Sequence, residues 1–115
     1  MIWLWLSAAF MAATALVHGF LGERRLIQPL MALDQGVMGA DLARKVFRLA
    51  WHALSLLMLV SAVSVVWTGT PRGLILLIGA AWTATGLFDA AYTRGKHIGW
   101  PFLTASGLFA LLGAL

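Results

Sequence analysis

The stretch RKVFRLAWHALSLLMLV, residues 44–60, carries Arg48 and His52 into a long apolar run. A soluble helix can do this without consequence. A helix that enters lipid cannot, because an ionisable side chain there has to find a partner or face the interior of a bundle. The rest of the chain decides which case applies. Of its 115 residues, 62% are hydrophobic and 10% are charged, far from the globular average and in the range of membrane proteins.

There is no cysteine, which excludes a disulfide framework and a thiolate metal site. The net charge is +4 and the sequence pI about 10.8. The basic residues lie in short segments between apolar stretches, so they set topology and do not form a nucleic-acid-binding patch.

Residues 2–22 carry no charge and suit a first transmembrane helix, which takes about 20 apolar residues. No basic residue precedes this stretch, so it reads as a span and not as a signal peptide. Further spans are expected over 46–68, 73–93 and 98–115. The expected fold is therefore all-α: a polytopic membrane protein, with residues 1–115 forming one four-helix up-down-up-down transmembrane bundle. Arg24, Arg25, Arg44 and Lys45 lie between spans one and two, and Arg94 and Lys96 between spans three and four; the opposite side holds only Arg72. The positive-inside rule then puts both termini outside and the 23–45 and 94–97 segments in the cytoplasm.

The connections carry their own signals. Thr68-Gly69-Thr70-Pro71-Arg72-Gly73 is tight, which predicts that helices two and three pack as an antiparallel hairpin. Leu26, Ile27, Leu30, Met31 and Leu33 make the 23–45 segment apolar enough to lie along the membrane surface as an interfacial connection. Pro29 suits the first turn of a short helix there, Asp34-Gln35-Gly36 its end, and Asp41 the N-cap of the second span.

Helical spacing places Asp41, Lys45, Arg48, His52 and Ser55 on one stripe. Counted inward from the flanking charges, His18 lies five residues inside Glu23, His52 four inside Arg48 and Asp89 five inside Arg94. At 1.5 Å per residue this predicts a common layer about 6–8 Å below the cytoplasmic boundary. Small residues (Ala8, Ala12, Ala15, Gly19 and Gly22 on helix one, Gly79 and Gly86 on helix three) mark packing faces. Trp82 reads as core packing, and Pro101 as the first-turn proline of the last helix.

The predicted layer, His18, His52 and Asp89 with Glu23 and His97 near the boundary, is a set of imidazoles and carboxylates suited to zinc, iron, copper or manganese. Arg48, Ser55 and Tyr92 would form its second shell. Two alternatives stay open. The same groups can pair among themselves as a structural polar cluster in an accessory subunit of a larger membrane complex, with no cofactor. His18 and His52 can also be the axial ligands of a b-type haem, with Gly19, Gly22, Ala50 and Ala53 leaving room for the macrocycle. Ser55, His52 and Asp89 are nominally a hydrolytic set, but Ser55 and His52 share one helix face and nothing marks Ser55 as a nucleophile. No reaction is assigned. The expected partners are the lipid bilayer and, for an accessory subunit, other membrane subunits.

Three patterns, HGFLGE at 18–23, RLAWH at 48–52 and KHIGWP at 96–101, resemble those of small four-span inner-membrane proteins of bacteria. The resemblance covers most of the chain and implies a bacterial inner-membrane location and this architecture, but no reaction. The length and span number also resemble those of the small multidrug-resistance transporters. That family carries its essential glutamate within the first helix, where this chain has only His18.

Because cysteine is absent, single substitutions report topology without background. Thr70→Cys is expected to react with a membrane-impermeant maleimide added outside spheroplasts, and Gln35→Cys only after permeabilisation. The reverse pattern would invert the orientation.

Overall fold

Between Ile2 and Met31 no residue breaks the helical backbone, and the first helix, α1, runs through all 30 of these residues. The computed structural model describes residues 1–115. The helix is α-helical over Ile2–Leu16, widens to π-helical i→i+5 pairing over Val17–Leu21 and Glu23–Ile27, and closes as an α-turn over Gln28–Met31. The surface helix expected after Gly22 is instead an extension of α1, since Gly22 and Gln28 both keep helical φ and ψ. The second widening ends just before Pro29, whose ring would clash with the carbonyl four residues back in an ordinary α-helix. At 30 residues α1 is about 45 Å long, well beyond the roughly 30 Å of a hydrocarbon core.

A short 3₁₀ turn, Gly36–Gly39, leads into α2, Asp41–Val66. Ala40, not Asp41, takes the cap position, and no side chain caps this end. Asp41 is the first helical residue and is hydrogen-bonded at 2.9 Å to Lys45, whose ammonium holds its carboxyl below the usual range. An anion in the first turn also suits the positive end of the helix. α3 covers Arg72–Tyr92, and α4 covers Trp100–Ala114 with Pro101 in its first turn. α4 starts two residues later than the span expected from Ile98. Three of the four helices are long and apolar enough to cross a membrane, and α4, at 15 residues, is shorter.

Small residues fix the packing order. On α3, Gly79 and Gly86 face α4: a Cβ on Gly79 would lie 3.0 Å from the Gly107 carbonyl, and one on Gly86 would collide with the backbone of Thr104. A Cβ on Gly107 would in turn collide with the backbone of Thr83. On its other side α4 packs against α1. Ser7 donates to the Ser106 carbonyl at 2.7 Å, Trp3 stacks on Phe109, and Phe10 touches Phe102 and Phe109. α2 packs on the remaining side of α1, giving the order α2–α1–α4–α3. The α2–α3 hairpin expected from their tight connection is therefore not a packed pair. The two helices touch little, and each contributes to a core of Val65, Ala62, Ile75 and Trp82 with Ala8, Met11, Ala110 and Ala114. Backbone-close contact needs glycine facing a small residue on the partner; α4 supplies Gly107 and Thr104 to α3, whereas α2 carries no glycine.

Register then sets the heights. Residues 3, 7 and 10 of α1 meet 109, 106 and 102 of α4 in opposite order. Continued at this register, the first residue of α4 lies opposite roughly residue 12 of α1. The second half of α1 and the first half of α2 thus project beyond the other two helices, and the molecule measures 49 × 31 × 19 Å. At the other end, Arg72 Nε donates at 2.5 Å to the Ala114 carbonyl, placing a cation on the negative end of α4.

Substituting Gly86→Leu or Gly107→Leu is expected to cost about 1–3 kcal/mol, the usual range for overpacking. Gly73→Ala, with nothing within 4 Å of its Cβ position, should be near neutral. Thermal unfolding in detergent would check the contrast, and equal effects at all three positions would contradict the α3–α4 contact.

Candidate functional site on the α1–α2 extension

In an α-helix, residues five apart point about 140° away from each other. His18 and Glu23 are five apart, yet both reach α2, because the π-helical widening brings residue i+5 back over residue i. On α2 two adjacent stripes at i,i+4 spacing meet them. Trp51 and Ser55 face His18, while Arg48 and His52 face Glu23.

His18 Nδ1 is hydrogen-bonded to Ser55 Oγ at 2.6 Å. Its ring stacks on the Trp51 indole with centroids 4.0 Å apart and planes within 9°. The indole N–H donates to the His18 carbonyl at 2.7 Å. Glycines make this approach possible: a Cβ on Gly22 would lie 2.6 Å from Trp51 Nε1, and one on Gly19 would lie 3.4 Å from Ser55 Oγ. Gly19 and Gly22 are thus covered by Ser55 and the indole.

Glu23 is the shared acceptor. Its Oε1 takes Arg48 Nε at 2.9 Å and lies 3.1 Å from His52 Nε2, while Oε2 accepts from Arg48 Nη2 at 3.4 Å. Glu23 is three-quarters buried, while Arg48 and His52 are closer to half. The guanidinium thus grips both carboxylate oxygens while the imidazole shares one of them.

The other two candidates lie elsewhere. His97 Nδ1 is hydrogen-bonded to Asp89 Oδ2 at 2.5 Å, in the turn between α3 and α4. Asp89 is largely buried and His97 more than half exposed. Thr93 ties the turn together, donating to the Asp89 carbonyl and accepting from the His97 N–H. Tyr92 is exposed, stacks on Phe88, and hydrogen-bonds to neither group. The expected single layer is therefore two groups: His18, Glu23 and His52 with Arg48 and Ser55, and separately Asp89 with His97. No three histidine and carboxylate side chains come close enough to share a metal ion.

Height explains the separation. Gly86 faces Thr104, so Asp89 is level with the start of α4, and His18 lies about 8 Å further along α1. Depth counted from flanking charges assumes that all helices end together, and here α1 and α2 outrun the others. Trp51 is the participant that the sequence reading missed; Gly22, read there as a packing residue, is what admits its indole. The signal was present as a glycine opposite a tryptophan one residue before His52.

No family model, curated protein or solved structure matches this chain.

Double-mutant cycles test the two-group geometry. Glu23→Gln and Arg48→Gln should couple by about 0.5–1 kcal/mol in thermal unfolding, as expected for a partly exposed ion pair. Asp89→Asn and Arg48→Gln should be additive. Coupling of Arg48 to Asp89 instead would contradict the assignment.

Proposed function

We propose that this chain is a small integral membrane protein, an up-down-up-down bundle with both termini outside, that serves as a subunit held at its cytoplasmic end by the α1–α2 polar cluster. Three long apolar helices support insertion. Only 16 of 115 residues are buried within the chain, which leaves a broad apolar surface for lipid or for neighbouring helices. Hydroxyls on the helices are satisfied internally: Thr14, Ser61, Ser64 and Thr85 each donate to the carbonyl four residues back. A hydroxyl facing hydrocarbon needs such a bond, because no water is there to supply one.

The observation that carries the structural role is the sharing of Glu23 by Arg48 and His52, beside a His18 already engaged by Ser55 and Trp51. Each polar group has its partner on the facing helix, which makes the cluster a clamp for α1 on α2. Half-satisfied polar groups at this position would weaken the bundle, and paired ones fix its register. A second reading rests on the same pair. Glu23 Oε1 and His52 Nε2, 3.1 Å apart on two helices, are of the donor types that zinc, iron, copper or manganese take.

One preparation separates these readings. Protein extracted from membranes with mild detergent, and not with carbonate, is examined by absorption spectroscopy and elemental analysis. Metal-free, colourless protein in which His52→Ala lowers thermal stability is the expected result. Stoichiometric metal lost on His52→Ala with the fold intact would replace the clamp by the metal site, and a Soret band would replace it by haem. Release by carbonate would overturn membrane insertion itself.

A further inference from the structure

The charged groups of this protein divide unevenly. All four of its acidic side chains are engaged: Glu23 by Arg48 and His52, Asp34 by Arg44, Asp41 by Lys45, and Asp89 by His97. Arg72, alone at the opposite end, is occupied by the Ala114 carbonyl. The cations left without an ion pair or side-chain hydrogen bond are Arg24, Arg25, Arg94 and Lys96, two on the extension of α1 and two in the α3–α4 turn, and all four are exposed.

Arg94 adds an independent observation. α3 ends with the Gly95 N–H on the Ala90 carbonyl at 2.7 Å and the Arg94 N–H on the Ala91 carbonyl at 3.3 Å. This is a Schellman motif whose left-handed position ordinarily holds glycine. Here Arg94 occupies it at φ 54°, the only non-glycine residue with positive φ in the chain. An L-residue takes up that conformation only with backbone strain. A cation near a helix C-terminus recovers part of the cost through the helix dipole, but Lys96 could supply that without strain. Folding alone is better served by glycine at position 94.

Around these cations the surface is apolar. Phe20 and Leu26 flank the Arg24–Arg25 pair, and Ile98 follows Lys96; all three are exposed. Unneutralised guanidinium and ammonium groups beside exposed apolar side chains match the headgroup–acyl boundary of an anionic lipid layer. There the cations meet phosphate and the apolar groups meet chains. A soluble anion would match the charges and leave the apolar neighbours unexplained.

We propose that Arg24 with Arg25, and Arg94 with Lys96, form two patches selective for anionic phospholipid headgroups. The proposal rests on membrane insertion, so the test begins by incorporating the protein into nanodiscs of phosphatidylcholine alone. Failure at that step would remove the membrane reading, whereas success followed by indifference to lipid charge would remove only this one. In nanodiscs of equal phosphatidylcholine and phosphatidylglycerol, the lipid that stays bound is then counted by native mass spectrometry. Phosphatidylglycerol should be enriched by about fivefold for each cation fully engaged, and Arg24→Gln/Arg25→Gln should reduce the enrichment. Arg94→Gly should lower it while thermal stability holds or rises, an outcome that a purely structural Arg94 would not give. Arg72→Gln should leave it unchanged. Equal retention of the two lipids by the unaltered protein would overturn the proposal, as would release of the lipid by millimolar inorganic phosphate.

Discussion

Two helix backbones in contact set the arrangement of the other elements. Where α3 meets α4, Gly79, Gly86 and Gly107 leave no room for a β-carbon, so the two helices approach until backbone touches backbone. That contact takes one whole face of α4. The opposite face receives α1 through Ser7, Phe10 and the aromatic pair Trp3–Phe109. α2 is left with the far side of α1 and with its short tether to α3. Dispersion over closely fitted small residues is the main attraction between helices in lipid, where the hydrophobic effect supplies no preference for helix over acyl chain. A single glycine face therefore outweighs chain proximity in choosing neighbours.

The α1–α2 extension follows from this order. Because α4 is short and α1 long, half of α1 has only α2 beside it. The polar residues that project there satisfy one another across one helix pair: Glu23 with Arg48 and His52, His18 with Ser55 and Trp51. The π-helical widening makes this possible by turning His18 and Glu23 to the same side. Such widenings are uncommon and gather at functional positions; here two of them coincide with the polar cluster. Asp89 and His97 close a different turn, at a different height, on the far side of α4.

The charge balance of the chain has the same origin. Each carboxylate sits where a nearby helix or turn presents a cation or imidazole, and so each has its partner locally. Arg24, Arg25, Arg94 and Lys96 remain free because the carboxylates nearest to them, Glu23 and Asp89, are already taken by Arg48 and His52 and by His97. Their exposure among apolar side chains leaves two basic patches, one on the α1 extension and one in the α3–α4 turn.

The sequence alone determined a good deal: an all-helical chain, the approximate places of four helices, the glycine and alanine faces, Trp82 in the core, and Pro101 at the start of α4. These follow from composition and from the 3.6-residue period, which act within one helix at a time. Pairing Arg48 and His52 with something on the bundle side was also legible, since their spacing from Ser55 puts them on one stripe. Only the tertiary structure decided that the partner is Glu23 and not Asp89, that Trp51 joins His18, and that α2 and α3 part after their tight connection. The reason is that register between helices depends on which small residues meet, and that depth depends on how far each helix outruns its neighbours. Neither quantity is carried by the period of a single helix.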